Sequence, residues 1–373
     1  MRLPQGMHAA PAGNTGAPGI PDNPGTAHTR GHRWASLTAS PLTGGNQVQL
    51  LTGGDALFPA MCQAIAAARE GVWLATYIFH DDPAAEAVAR ALADAARRGV
   101  EVHVVVDGFG SKATMPTLRR WLVDAGVQLE VFRPLDRWWR LLRPGQLRRL
   151  HQKLCVVDGV HGFVGGINLI DDLFDLNHGW SDRPRLDFAV AVQGPVVAQM
   201  LQAARAIHTR ARLGADWREE ARQLARSAEP MARMRRMLAQ LHVRADLPDT
   251  APPAAALAPV RAAFLVRDNL RQRRAIEHAY INAIGQARQR LLLVCPYFYP
   301  GRLFLRALRH AAQRGVDVRL LLQGKADYRF AALAAQVLYD EMLRSGVRVF
   351  EYMPAFLHAK VAVVDDDWAT VGS

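Results

Sequence analysis

Apolar and polar positions along this chain follow one succession of spacings, and that succession occurs twice. In the first stretch, Val72–Phe79 (VWLATYIF) is a dense run of apolar and β-prone residues, which predicts a buried strand. Ala84–Arg98 carries apolar residues at helical spacing and stops before Gly99, as a helix C-terminus does. Val100–Val106 predicts the next strand and Met115–Ala125 a second helix ended by Gly126. Val127–Phe132 and Leu150–Val157 complete the set as strands. The second stretch runs through Leu291–Phe298, Leu303–Arg314 with Gly315, Val316–Leu322, Ala331–Arg344 ahead of Gly346, Val347–Tyr352 and Leu357–Val364.

A spacing of roughly 200 residues is too long for a solenoid and indicates a duplicated domain. Strands alternating with helices predict an α/β fold, with two duplicated sandwich lobes, each a mixed sheet flanked by helices. The expected organisation is a disordered tail over 1–45, a first lobe over 46–245, a linker over 246–260 rich in Pro and Ala, and a second lobe over 261–373. A basic helical region, about Val196 to Leu241, closes the first lobe.

Each lobe ends in one cluster. The first is His151-Gln-Lys153-Leu-Cys-Val-Val-Asp158, followed by Gly165-Gly166-Ile-Asn168. The second is His358-Ala-Lys360-Val-Ala-Val-Val-Asp365, followed by Gly372-Ser373. Residues i and i+2 of a strand share a face, so each His and Lys point to one place. The small residues Gly166 and Ser373 would let backbone approach a bound anion, and Asn168 could donate to it. A lone His-x-Lys has a bland explanation as a satisfied side chain; two copies with identical spacing at one point of a repeat do not. Zinc on His151, Cys155, Asp158 and His161 is disfavoured, because Lys153 would put a cation in the site.

These clusters resemble the paired HxKxxxxD motifs of the phospholipase D superfamily. Thr76-Tyr-Ile-Phe-His-Asp-Asp82, Arg267-Asp-Asn269, Cys295-Pro-Tyr-Phe298 and Leu357-His-Ala-Lys-Val-Ala-Val363 resemble bacterial cardiolipin synthases, with Gly165-Gly166-Ile-Asn168 pointing to the B type. The similarity runs from about Asn46 to Ser373. It implies an active site at the lobe interface and transfer of a phosphatidyl group between two phosphatidylglycerol molecules through a phosphohistidine. One imidazole attacks and the other, held protonated, serves the leaving glycerol; the resemblance gives His151 the first role and His358 the second. Lys153 and Lys360 neutralise the phosphoryl oxygens, so no metal or cofactor is called for. Asp158 and Asp365, though part of the catalytic clusters, are expected to brace local structure. Asp187 is the expected carboxylate partner of His151. The resemblance also implies an Asn and further strands beyond Ser373, including an acidic partner for the second His. Residues 1–373 alone are therefore expected to be unstable or inactive. A hydrolase or nuclease of the same superfamily, or a basic protein without catalysis, are the competing functions.

Composition sharpens the setting. The net charge is +12, and only four of 46 basic residues are lysines, so an Arg-rich composition accounts for part of the charge. The remainder suits anionic partners. No run is apolar enough to span a membrane and no signal pattern opens the chain. Three scattered cysteines fit reduced thiols. Phe132–Arg149, with Trp138, Trp139 and Arg140 among further arginines, best matches a membrane-interface segment, although nucleic-acid stacking or simple packing would use the same residues. The expected partners are anionic phospholipid and a membrane surface, with nucleic acid disfavoured. The expected location is peripheral, on the cytoplasmic side of the bacterial inner membrane.

Overall fold

The computed structural model describes residues 42–134, 149–226, 259–266, 275–325 and 339–372. The first repeat forms β1 (Thr43–Thr52), β2 (Gly71–Thr76), β3 (Glu101–Asp107), β4 (Gln128–Phe132), β5 (Leu154–Val157), β6 (His161–Gly165), the short hairpin β7 (Phe174–Asp175) and β8 (Gly179–Trp180), and β9 (Phe188–Gln193). With β10 (Val260–Ala262) these give an eight-stranded mixed sheet in the order β10-β1-β9-β6-β5-β2-β3-β4, the hairpin standing apart. The second repeat forms β11 (Arg290–Cys295), β12 (Asp317–Gln323), β13 (Arg348–Tyr352), β14 (Lys360–Val364) and β15 (Trp368–Gly372), in the order β13-β12-β11-β14-β15.

The two sheets share a topology. β2, β3 and β4 run parallel while β5 and β6 join antiparallel; β11, β12 and β13 run parallel while β14 and β15 join antiparallel. The duplication visible in the sequence is thus a duplication of strand order and sense.

Helices α1 (Gly53–Ala67), α2 (Pro83–Arg97) and α3 (Met115–Leu122) cover one face of the large sheet, and α4 (Val196–Arg226) covers the other. Helix α2 illustrates why the chain folds this way. Asp82 Oδ1 accepts the Ala85 amide at 2.9 Å and Pro83 fills the first turn, while Ala85, Val88, Ala89 and Leu92 form a buried stripe at spacings of three and four. Cutting fully buried Leu92 back to Ala would cost about 2–5 kcal/mol. The chain then turns at Gly99, φ +90°, where a side chain would be strained. In the second repeat α5 (Ala275–Gln286) packs on α6 (Arg302–Gln313), and Gly315 ends α6 at φ +88°.

Several boundaries differ from expectation. β1 opens at Thr43, inside the stretch expected to be tail, because it pairs with β9 on one side and β10 on the other, pinned by fully buried Asn46. Asn46 Nδ2 donates to Thr43 O and its Oδ1 accepts the Val196 amide. β10, placed by the sequence at the join of linker and second lobe, returns to the first sheet, and Val266 packs in that sheet's core. β5 begins at Leu154 and β14 at Lys360, so His151, Lys153 and His358 stand on extended chain before the ladders. Of the helix expected over Ala331–Arg344, residues 339–344 are described and helical. The linker up to 258 lies outside the described residues.

Candidate active site

Strand sense decides where the two clusters lie. Ala75 near the end of β2 pairs with Leu154 at the start of antiparallel β5, so the approach to β5 sits at the C-terminal edge of the parallel strands. Val294 and Val361 repeat this relation between β11 and β14. Both His-x-Lys segments therefore occupy the edge from which the connections of a parallel sheet emerge.

A backbone bridge then joins the two repeats. Leu186 and Leu357 form a parallel β-bridge: the Leu186 amide donates to Phe356 O at 2.8 Å, and the His358 and Ala359 amides donate to Leu186 O at 2.9 and 3.1 Å. The bridge carries the next residue, Asp187, across to the second cluster. Its Oδ2 lies 2.6 Å from His358 Nδ1, while its Oδ1 accepts the Phe188 amide at 2.8 Å. Asp187 was expected beside His151, and the acidic partner of His358 was expected beyond Ser373. The structure instead supplies His358 from the opposite repeat, through a bridge that no local pattern announces.

Both lysines cap the carbonyl of their own histidine: Lys153 Nζ to His151 O at 2.9 Å and Lys360 Nζ to His358 O at 2.5 Å. Lys153 Nζ also lies 3.2 Å from His151 Nδ1. The Tyr77 ring stands 5.4 Å from the His151 ring and 5.8 Å from Lys153 Nζ, a contact the sequence reading missed. Asn168 is buried with its Oδ1 on the Ile78 amide at 3.3 Å, leaving Nδ2 as its donor end.

The electrostatics follow from burial of two imidazoles and two ammonium groups in one cleft. His151 keeps solvent access, yet loss of hydration there, together with Lys153, Lys360 and His358, holds its pKa at about 3. Burial draws Lys153 down to about 7, aided by Lys360, and draws Lys360 to about 8. Burial lowers His358 to about 4 against the upward pull of Asp187. Both rings are thus held well below the ordinary imidazole proton affinity before an anion binds. The main physical reason is desolvation of both rings, with the charge of the lysines adding to it.

Gly165 and Gly166 have a packing reason to be glycine. A Cβ on Gly166 would meet Asp187 Oδ1 at 2.3 Å, and one on Gly165 would meet Ala189 Cα at 2.4 Å. The Gly166 amide is already donated to Phe188 O. The glycine pair thus admits β9 and the Asp187 carboxylate, a different reason from the anion approach expected of Gly166.

Asp158 and Asp365 lie at the far ends of β5 and β14. Each adopts a left-handed conformation, φ +51° and +50°. Asp158 accepts the amides of Arg69, Glu70 and Gly71, each at 2.9 Å, and Asp365 accepts those of Arg288, Gln289 and Arg290. Asp158 thereby locks the turn that opens β2, and Asp365 the equivalent turn that opens β11. Cys155 packs in the core, its thiol pushed up to about 12 by burial.

Fully buried Asp107 was also missed. Its Oδ2 accepts the Leu150 amide at 2.8 Å and its Oδ1 the Phe109 amide at 2.8 Å, fixing the chain one residue before His151. Trp138, Trp139, Arg140 and Ser373 lie outside the described residues.

Comparison with known proteins places this geometry in context. The family described as cardiolipin synthase, PLD-like domain, matches residues 61–180 and 280–373. Cardiolipin synthase B of Salmonella typhi is 37% identical over 333 residues, covering 88% of this chain and 72% of that protein. Cardiolipin synthase B of Escherichia coli strain K12 is 34% identical over 331 residues, with the same coverages. The crystal structure of phosphatidylserine synthase from Haemophilus influenzae Rd KW20 matches with a TM-score of 0.53 at 13% identity, over 90% of this chain and 80% of that one, a likeness of fold alone.

Proposed function

The chain belongs to the cardiolipin synthase family of PLD-like proteins, and from that membership we propose that it is a phosphatidyltransferase making cardiolipin from two phosphatidylglycerol molecules. The observation that carries this reading is the pair of His-x-Lys segments, each at the C-terminal edge of its own sheet, with Asp187 of one repeat bonded to His358 of the other.

A phosphodiester is a poor electrophile, so covalent catalysis divides the reaction. Asp187 holds the proton of His358 on Nδ1 and leaves the Nε2 lone pair free, which supports His358 as the attacking nitrogen. This reverses the assignment that the resemblance implied. A P–N bond forms to His358 Nε2 while the P–O bond to glycerol breaks. The bound phosphodiester opposes the push of the lysines and raises the proton affinity of His151, whose Nε2 delivers a proton to the departing glycerol oxygen. The hydroxyl of a second phosphatidylglycerol then yields its proton to His151 and attacks phosphorus, and the P–N bond breaks. Lys153, Lys360 and Asn168 Nδ2 balance the charge gathering on the phosphoryl oxygens. The protein works as a peripheral one on the cytoplasmic face of the inner membrane; among the described residues, no helix is long and apolar enough to cross it.

Expression in a bacterium lacking cardiolipin, with lipids read by mass spectrometry, tests the reading. Cardiolipin is expected from the wild type and from neither His151→Ala nor His358→Ala. Phosphatidic acid in its place would make the enzyme a hydrolase, and unchanged lipids would remove the lipid assignment. Acid quenching and peptide mapping of the phosphoryl-enzyme decides the nucleophile: label on His151 would restore the assignment implied by the resemblance.

A further inference from the structure

Among the described residues, the tryptophans and tyrosines with large exposure are Trp180 (65%), Tyr299 (55%) and Tyr297 (39%). All three stand on connections at the C-terminal edges of the two sheets, where the two histidines lie. Tyr297 and Tyr299 lie on the connection leaving β11. Trp180 lies on the excursion between β6 and β9, which starts and ends at that edge because Gly165 pairs with Ala189. This excursion is seated beside the site, with His178 and Phe356 in ring contact and Leu186 bridged to Leu357. Phe109, on the connection from β3, and Met353, on the connection from β13, are exposed on the same edge.

From this placement we propose that the rim formed by Phe109, Trp180, Tyr297, Tyr299 and Met353 is a docking surface for a phospholipid bilayer, on which the cleft opens directly at headgroup depth. The proposal rests on the lipid reading of the site. A diacyl substrate must reach the histidines with its tails still in an apolar phase, so apolar side chains are needed around the opening. Tryptophan and tyrosine are the aromatics that combine an apolar ring with a polar handle, and they settle at the boundary of headgroups and acyl chains. The rim is drawn from connections of both repeats, so docking engages the two halves together. Exposed cations Lys112, Arg183, Arg302 and Lys325 stand along this edge, with Asp55, Asp81 and Asp182 as exposed acids. Attraction to anionic headgroups therefore adds to ring insertion without carrying it, and binding should survive moderate salt.

Co-sedimentation of the full chain with vesicles of mixed phosphatidylglycerol and phosphatidylcholine tests the surface without needing turnover. The double variant Trp180→Ser/Tyr299→Ser is expected to bind about tenfold more weakly, each ring contributing roughly half of that change. Val160→Ser removes an exposed apolar side chain at the β5–β6 turn, on the opposite edge, and should bind as wild type. The substituted side chains are exposed, so unchanged thermal melting confirms the fold. Double-variant binding equal to wild type, or wild type retained by a single-stranded oligonucleotide and not by vesicles, overturns the proposal. Wild type that sediments with vesicles yet leaves their lipids unaltered would remove the transferase reading and keep the docking surface.

Discussion

Asp187 Oδ2 and His358 Nδ1 stand 2.6 Å apart, a carboxylate of the first repeat bonded to an imidazole of the second. The Asp187 side chain is 2% exposed, so its charge is shielded from water and the ring bond is short.

Replacing Asp187 by Asn keeps the shape and removes the charge that fixes the tautomer of His358. The expected result is a kcat lower by about two to four orders of magnitude with little change in KM. Steady-state kinetics beside circular dichroism would check it. A kcat within a few-fold of wild type would mean that the pair does not serve the reaction.

Gly166→Ala places a methyl group 2.3 Å from the same carboxylate. The crowding should cost about 1–3 kcal/mol in stability and displace Asp187, so that activity falls further than stability does. Chemical denaturation and activity measured on one preparation separate the two effects.

The proton affinities in the cleft set a pH profile. His358 must be neutral to attack, and its pKa is near 4; the lysines must be charged to hold phosphate, and theirs are near 7 and 8. Phosphate binding, read as 1/KM, should hold above pH 4 and weaken between about 7 and 8 as the lysines lose their charge. Lys153→Arg stays charged and should move the start of the alkaline limb upward, toward the pKa of Lys360. A profile flat to pH 9 in the wild type would contradict this account.

Asp158→Asn is expected to touch stability and spare chemistry. Burial pushes its carboxyl up, but the amides of Gly71, Arg69 and Glu70 outweigh it and hold the pKa below the ordinary value. The resulting stabilisation is present above the unfolded carboxyl pKa of about 4 and is lost as pH falls through the lower folded value. Asn tolerates the left-handed backbone, so the variant isolates the charge, at a cost of about 1–3 kcal/mol at pH 7 that shrinks toward pH 3. Thermal melts at the two pH values provide the check.

Asp107→Asn leaves Leu150 less firmly held and lets His151 wander. We expect kcat to drop about tenfold or more with KM nearly unchanged, and a drop in KM affinity alone would rule out this positioning role.

The sequence made the repeated strands and helices legible because each buries a face whose period is written locally. Gly99, Gly126, Gly315 and Gly346 all end elements at positive φ, where the reading placed helix C-termini. The His-x-Lys pairs were legible for a similar reason, since residues two apart on extended chain share a direction. The partner of His358 was not legible. Asp187 precedes it by 171 residues and reaches it through the bridge at Leu186 and Leu357, a contact with no local period. Tyr77 and Asp107 escaped for the same reason: each acts on the approach to β5 from a different strand end. Their signal was position, a polar residue closing an apolar strand.

The bridge at Leu186 and Leu357 gives the duplication a direction it cannot reverse. Two ancestral copies of one unit would begin with equal freedom to change, each able to complement the other. Once residues 186 and 187 hold the backbone and ring at 357 and 358, a substitution in either copy is judged by its fit to the other. The two halves are thereby tied into one functional unit at this point of contact.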